Sequence, residues 1–210
     1  MHHFIFPSKD TWISSGSNKI TGETFRDQNF GRDQILEVKK EFFNNSFDHA
    51  TRALVEFSGT EFTELSKSVA DGTIPSDASY FLRLYEAEGN SEISGLGSET
   101  YTLSFNAISE SWDEGTGKFG DNPKTTNGCS WQNRVNVVNG LATTWKNNDG
   151  TDSDGPSTLS VSSSQQIFNN ESPDINVSIT PMVNMWLEGQ HENYGLLIQN
   201  NLEANDSVFG

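Results

Sequence analysis

Alternation of apolar and polar residues with a period of two constrains this chain more than any other feature. In a strand successive side chains point to opposite faces, so such a stretch suits a half-buried strand and cannot form an amphipathic helix. The clearest case is Thr100–Ile108, where Tyr101, Leu103, Phe105 and Ala107 fall on one face and Thr102, Ser104 and Asn106 on the other. Ser79–Glu86 sets Tyr80, Leu82 and Leu84 against Phe81, Arg83 and Tyr85, and Ile175–Ile179 alternates likewise. Shorter strands are predicted at Phe4–Phe6, Thr11–Ile13, Ile35–Val38, Ala53–Phe57, Val135–Val138, Leu159–Val161 and Gly195–Gln199. Long stretches rich in Asn, Asp, Gly and Ser separate them, notably Asp113–Ser130 and Asn147–Ser157, and these are turn and loop chemistry. Strands joined by long polar loops predict an all-β, antiparallel two-sheet sandwich of jelly-roll type.

One or two short helices interrupt this pattern. Thr60–Ala70 starts at a possible cap and spaces Phe62 and Leu65 three apart. In Thr180–Glu188, Thr180 can cap, Pro181 suits the first helical position and Gly189 can end the helix. Met182, Met185 and Trp186 then share a face and are expected in the core with Leu84, Leu103 and Phe105. No repeat or shift in character divides the chain, so residues 1–210 are read as one domain.

Charge narrows the partners. With 13 Lys and Arg against 29 Asp and Glu, the net charge is −16, which repels nucleic-acid phosphates and anionic membranes. The 11% aromatic content separates the chain from disordered acidic tails. The N-terminal residues, MHHFIFPSKD, lack the basic and apolar regions of a secretory signal, so the protein is expected to be made in a cytoplasm. A single cysteine, Cys129, precludes an intrachain disulfide and is read as a small buried apolar group.

Catalytic patterns are missing: no metal-protease helix, phosphate loop, nucleophile elbow or dinucleotide fingerprint occurs. Asp113 and Glu114 are adjacent, and neighbours at a strand end point apart, which does not suit the facing carboxylates of a glycosidase. The chain is therefore read as a non-enzyme. Asp149–Gly155 looks like a calcium loop but fails the EF-hand pattern: with Gly155 at position six, Gly150 stands at position one and Val161 at position twelve. A looser calcium site on Asp149, Asp152 and Asp154 is the one cofactor expectation. Trp112 and Trp131 are candidate sugar-stacking residues, with core packing as the alternative.

The ordered series of motifs resembles the DNRLRE domain, a jelly-roll module akin to carbohydrate-binding modules. The matching stretches begin with Asp10–Gly16, Asn29-Phe30-Gly31 with Ile35–Val38, and Arg52–Phe57. They continue with Ser79–Tyr85, Glu110–Glu114 and Met182–Leu187 with Asn193–Leu197. Cys129–Arg134 with Trp145 is similar to the version found in virion proteins of tailed phages, and the Asn-rich acidic character is similar to structural proteins of marine cyanobacterial phages. The resemblance implies a non-enzymatic virion protein of tail, neck or collar, fibre or capsid decoration, assembled in many copies or as a homo-oligomer with other virion proteins. The alternative it implies is a carbohydrate-binding module or adhesin for a host surface glycan. The family closes with a further strand, which Ser207–Gly210 precedes, so an open sheet edge is expected for a neighbour to cover. The apolar cluster Phe4, Ile5 and Phe6, with Phe209, completes the expected assembly contacts.

Overall fold

The computed structural model describes residues 3–43, 46–85, 87, 101–137, 140–161, 163–168, 174–201 and 203. It is an antiparallel β-sandwich with two short helices. The strands are β1 (Pro7–Ser14), β2 (Lys39–Phe43), β3 (Ser46–Phe57), β4 (Phe81–Leu84), β5 (Tyr101–Ala107), β6 (Asn133–Asn136), β7 (Ala142–Lys146), β8 (Asp152–Ser153), β9 (Ser164–Phe168), β10 (Ile175–Ser178) and β11 (Leu196–Asn200); the helices are α1 (Gly59–Ala70) and α2 (Thr180–Leu187).

A six-stranded sheet in the order β1-β3-β11-β5-β9, with β2 also paired to β3, forms the middle layer. Its alternation fills both faces. Ala53, Val55 and Phe57 of β3, Leu103, Phe105 and Ala107 of β5, and Leu196 and Ile198 of β11 face one core. Leu54 and Leu197, from the same two central strands β3 and β11, face the other together with Ile13 of β1. The first core is closed by the β4–β10 pair, through Leu82 and Val177, and by the helices, through Leu65, Met182, Val183, Met185 and Trp186. The second is closed by the β6-β7-β8 sheet and the loops around it, which contribute Ile108, Trp112, Cys129, Trp131 and Trp145. The covering layer is thus split into two small sheets, one on each side of the large one.

The strands predicted from period-two alternation form where the alternation is strongest, and β4 behaves as its pattern requires. Leu82 is buried while Phe81, Arg83 and Tyr85 point outward. Three short predictions differ. Residues 4–6 and 35–38 lie outside the strands, and near Leu159–Val161 an isolated bridge joins Ile108 and Thr158. In α2 the N-cap is Ile179, not Thr180. The Thr180 hydroxyl instead accepts a hydrogen bond from the Tyr80 amide at 2.9 Å, pinning the helix start to the entry of β4. Pro181 and Gly189 (φ 68°) occupy the start and the exit as expected.

The last described strand, β11, lies inside the sheet, bonded to β3 on one side and β5 on the other. The edges of the sheet path are β1 and β9, neither of them C-terminal. Both are engaged. Along β1 the Asp10 amide donates to Glu114 Oε1 at 3.1 Å and Lys9 Nζ to the Trp112 carbonyl at 2.6 Å. From β9, Ser164 Oγ donates to the Ser178 carbonyl, and Gln166 Oε1 accepts from the Asn176 amide at 2.9 Å, so side chains carry the sheet across to β10. Among the described residues no helix is long and apolar enough to cross a membrane.

Candidate functional site

The motif-rich loops meet at Asn29, which is fully buried. Its amide nitrogen donates to the carbonyls of Glu114 (2.7 Å) and Cys129 (2.8 Å), and its side-chain oxygen accepts from the amides of Gly31 (3.1 Å) and Gly117 (2.8 Å). An asparagine side chain offers two donors and two lone pairs, so every one is used. The result ties the segments 29–31, 114–117 and 127–129 into one knot over the second core. Glycine is required here by space as well as by torsion. A Cβ on Gly115 (φ 82°) would lie 2.3 Å from the Asn127 carbonyl oxygen and 2.4 Å from the Asn29 side chain.

The knot decides the fate of the candidate tryptophans. Trp112 is 1% exposed and Trp131 6% exposed, so the expectation that they stack on a sugar is corrected: both are core residues. Trp112 donates Nε1–H to the Tyr194 carbonyl at 2.9 Å, and the Lys9 ammonium sits 4.5 Å from its ring centre. The Arg52 guanidinium covers the Trp131 ring at 4.2 Å and pairs with Glu203. Trp145, likewise buried, donates to the Ser130 carbonyl at 2.9 Å. Cys129 is buried beneath them, and burial pushes its thiol pKa up, away from nucleophilic reactivity.

The three aspartates of the calcium expectation do not converge. Asp149 caps its own turn, accepting from Thr151 N (2.9 Å) and Oγ1 (2.6 Å), which lowers its pKa. Asp152 is held by Lys146 and by Thr144 Oγ1 (2.7 Å), and the Lys146 hydrogen bond lowers its pKa most. Asp154 pairs with Arg26 at 2.6 Å. Among the described residues no group of three His, Cys, Asp or Glu is placed to hold a metal ion. Each carboxylate has its own partner: Asp149 within its turn, Asp152 on β7 and Asp154 on Arg26.

Asp152 and Asp154, with Gln132, Asn133, Thr144, Asn147 and Ser153, line an open cleft of about 590 Å³ on the β6-β7-β8 sheet. Its walls are amides, hydroxyls and carboxylates already paired with cations. A second cleft of about 330 Å³ lies beside Ile108, Ser109 and Tyr194, with His191 and Glu192. Both can offer hydrogen bonds. Asp113 is exposed and its backbone carbonyl accepts from the Cys129 amide, while the half-buried Glu114 turns its carboxylate to the Asp10 amide of β1.

At the N-terminus, Ile5 packs against the first core while Phe4 and Phe6 stand 63% and 71% exposed. The half-buried Ile5 between them ties this segment to the core and leaves two phenyl rings at the surface. Phe209 lies outside the described residues. Phe81 of β4 and Tyr85, one residue past its end, are 55% and 79% exposed, and neither stands among the expected contact residues. The signal was present in the alternation, since the same period that buries Leu82 turns these rings outward. No protein-family model matches the chain, and no curated protein or solved structure matches it either.

Proposed function

We propose that this chain is a non-catalytic assembly module, a structural protein of a tailed-phage particle that works through protein–protein contacts. The observation that carries the reading is the anchored pair Phe4 and Phe6. Two large apolar side chains flanking a half-buried residue that packs on the first core form a contact patch whose exposure is unfavourable unless a neighbour covers it. The neighbour is another virion protein or a second copy of this chain. The motif resemblance to virion jelly rolls supplies the setting of tail, neck or collar, fibre or capsid decoration. A charge of −16 sets copies repelling at long range, and apolar contact is the kind of attraction that salt screening over ~8–10 Å leaves intact. The carbohydrate reading in its original form needed Trp112 and Trp131 as platforms, and their burial withdraws that support.

The test is to replace Phe4 and Phe6 together by Ser and to compare melting with multimer formation by light scattering. The expected outcome is a stability change near the surface level of about 0.5 kcal/mol, with loss of multimers. A fall in melting temperature with assembly per folded molecule unchanged would make the cluster internal packing and defeat the reading.

A further inference from the structure

We infer that copies of this chain join head to tail, the Phe4 and Phe6 patch of one seated on an aromatic platform around Phe119 of the next, which rests on the assembly role proposed above and names the partner. The two surfaces stand toward opposite ends of β1. Pro7 opens the strand opposite Phe57, so Phe4 and Phe6 lie near the start of α1. Trp12, near the other end, carries the platform. The Phe30 ring stacks on its indole at 3.7 Å, and the Phe119 ring lies 6.3 Å from that of Trp12 and 5.5 Å from that of Phe25. Trp12 and Phe30 are buried, Phe25 is half-buried, and Phe119 is 56% exposed. From Phe6 to Trp12 the strand spans about 20 Å at ~3.3 Å per residue. Ile5 is tied to the first core, so one copy cannot close the patch on its own platform.

Charge sets the pairing. The rings of Phe57, Phe62 and Trp186 follow one another at 6.4 and 5.6 Å, and Asn193 Nδ2 donates to the Phe57 carbonyl at 3.2 Å. The start of α1, the end of α2 and the turn after it thus meet at the patch end of the sheet. They bring Glu61, Glu188 and Glu192, none of which forms an ion pair with a described residue. Lys9, the one cation of β1, is already held by Glu56 (2.9 Å) and the Trp112 carbonyl (2.6 Å). At the platform the exposed cations Arg32 and Lys118 form no ion pair, and the Arg32 amide donates to the Gly117 carbonyl at 2.9 Å, which joins their segments. The carboxylates there are engaged by the fold. Asp33 accepts from Trp12 Nε1 (2.9 Å) and the Phe119 amide (3.1 Å), and Asp121 from the Lys118 amide (2.9 Å). Residues 9–52 and 110–155, which supply the platform, hold 11 of the 13 Lys and Arg but 14 of the 29 Asp and Glu, so they carry only −3 of the net −16. A two-fold contact sets a patch against itself, here carboxylates against carboxylates. A head-to-tail contact sets those carboxylates against guanidinium and ammonium, and it repeats until a ring closes or a filament grows.

Sedimentation of the full chain and two variants, alone and mixed, tests this. Phe4→Ser with Phe6→Ser removes the patch, and Arg32→Glu with Lys118→Glu reverses the platform's free charge without touching its rings. Each variant alone should need at least a tenfold higher concentration to associate, with its melting temperature unchanged because the altered side chains are exposed. Their equimolar mixture should form one-to-one dimers and nothing larger, since the first variant keeps its platform and the second its patch. Multimers lost in the patch variant but kept in the platform variant would overturn the head-to-tail pairing and leave the assembly role standing. Multimers that survive both sets of substitutions would overturn the pairing and the role of the patch together. A mixture that stays monomeric, or an unaltered chain that never associates, would overturn the inference equally.

Discussion

The two faces of the six-stranded sheet are filled by different chemistry. On one, aliphatic side chains, Phe105, Phe168 and Trp186 pack between the sheet, two helices and the β4–β10 ribbon. On the other, Trp112 and Trp145 each direct an indole N–H to a backbone carbonyl, beneath a loop knot closed by Asn29. The contrast is clearest in the indoles: buried Trp186 has no hydrogen-bond partner for Nε1 among the described residues and acts as apolar bulk. Trp131 shares that lack of a partner but lies under the Arg52 guanidinium. The first core holds by area removed from water, which tolerates swaps of similar volume. The second holds by directed bonds and close backbone approach, and has little room for substitution.

The largest effect should follow from Asn29→Leu, which keeps the volume but orphans four buried groups. At roughly 1–3 kcal/mol for each of the four orphaned groups, a loss on the order of 4–12 kcal/mol is expected in urea unfolding. A loss below about 1 kcal/mol would show that the knot is ornamental. Trp186→Ala, in the other core, should lose about 3–5 kcal/mol by creating a cavity, with a shallow response to any polar replacement of its N–H. The sharper comparison uses phenylalanine. Trp145→Phe leaves the Ser130 carbonyl unpaired and should lose about 1–3 kcal/mol beyond the change in packing, whereas Trp186→Phe removes an unpaired donor. If calorimetry finds the two equal, the distinction between the cores fails.

The smallest expected difference is in pH response, and it also falls on one side of the sheet. Burial, aided by the neighbouring Glu114 charge, raises the Asp10 pKa, and burial raises that of Glu203 despite Arg52. Both adjoin the second core. A carboxyl whose pKa is raised by folding binds its proton more tightly in the folded state. Its stabilising contribution is complete below the ordinary carboxyl range and is lost as pH rises through the raised value. Asp149 and Asp152 are lowered and have the opposite sign, with stability lost as pH falls, but they are exposed and screened. Asp10→Asn should therefore flatten a decline in melting temperature just above the usual carboxylate range. An unchanged slope would contradict this.

How far the sequence foretold these two cores follows from the same difference. The first was readable because it is built from periodicity: Leu82, Leu103 and Phe105 alternate, and Met182, Met185 and Trp186 share a helical face. The second was not, because Trp112 and Trp131 lie in loops, where no period assigns a face and where Trp112 beside two acids looks exposed, while Trp145 sits in β7, whose sequence does not alternate apolar with polar residues. Its organising residue, Asn29, is one of many asparagines, and only the distant segments around Gly117 and Cys129 give it meaning. Strands β2, β7, β8 and β9 escaped notice for a related reason. Ser164–Phe168 carries Gln and Ser on its inner side, using them to bond β10 rather than to fill the core. Asp149, Asp152 and Asp154 are close in sequence, but their partners, Thr151 for the first, Lys146 and Thr144 for the second and Arg26 for the third, are not legible from that spacing.

The claim that this chain is an assembly part meets its most direct test in a reconstruction of phage particles that carry it. The account predicts ordered density for the sandwich in multiple copies, with Phe4 and Phe6 buried against a neighbouring subunit. Particles complete without the chain, or a chain whose N-terminal rings face solvent in the assembled particle, would contradict it.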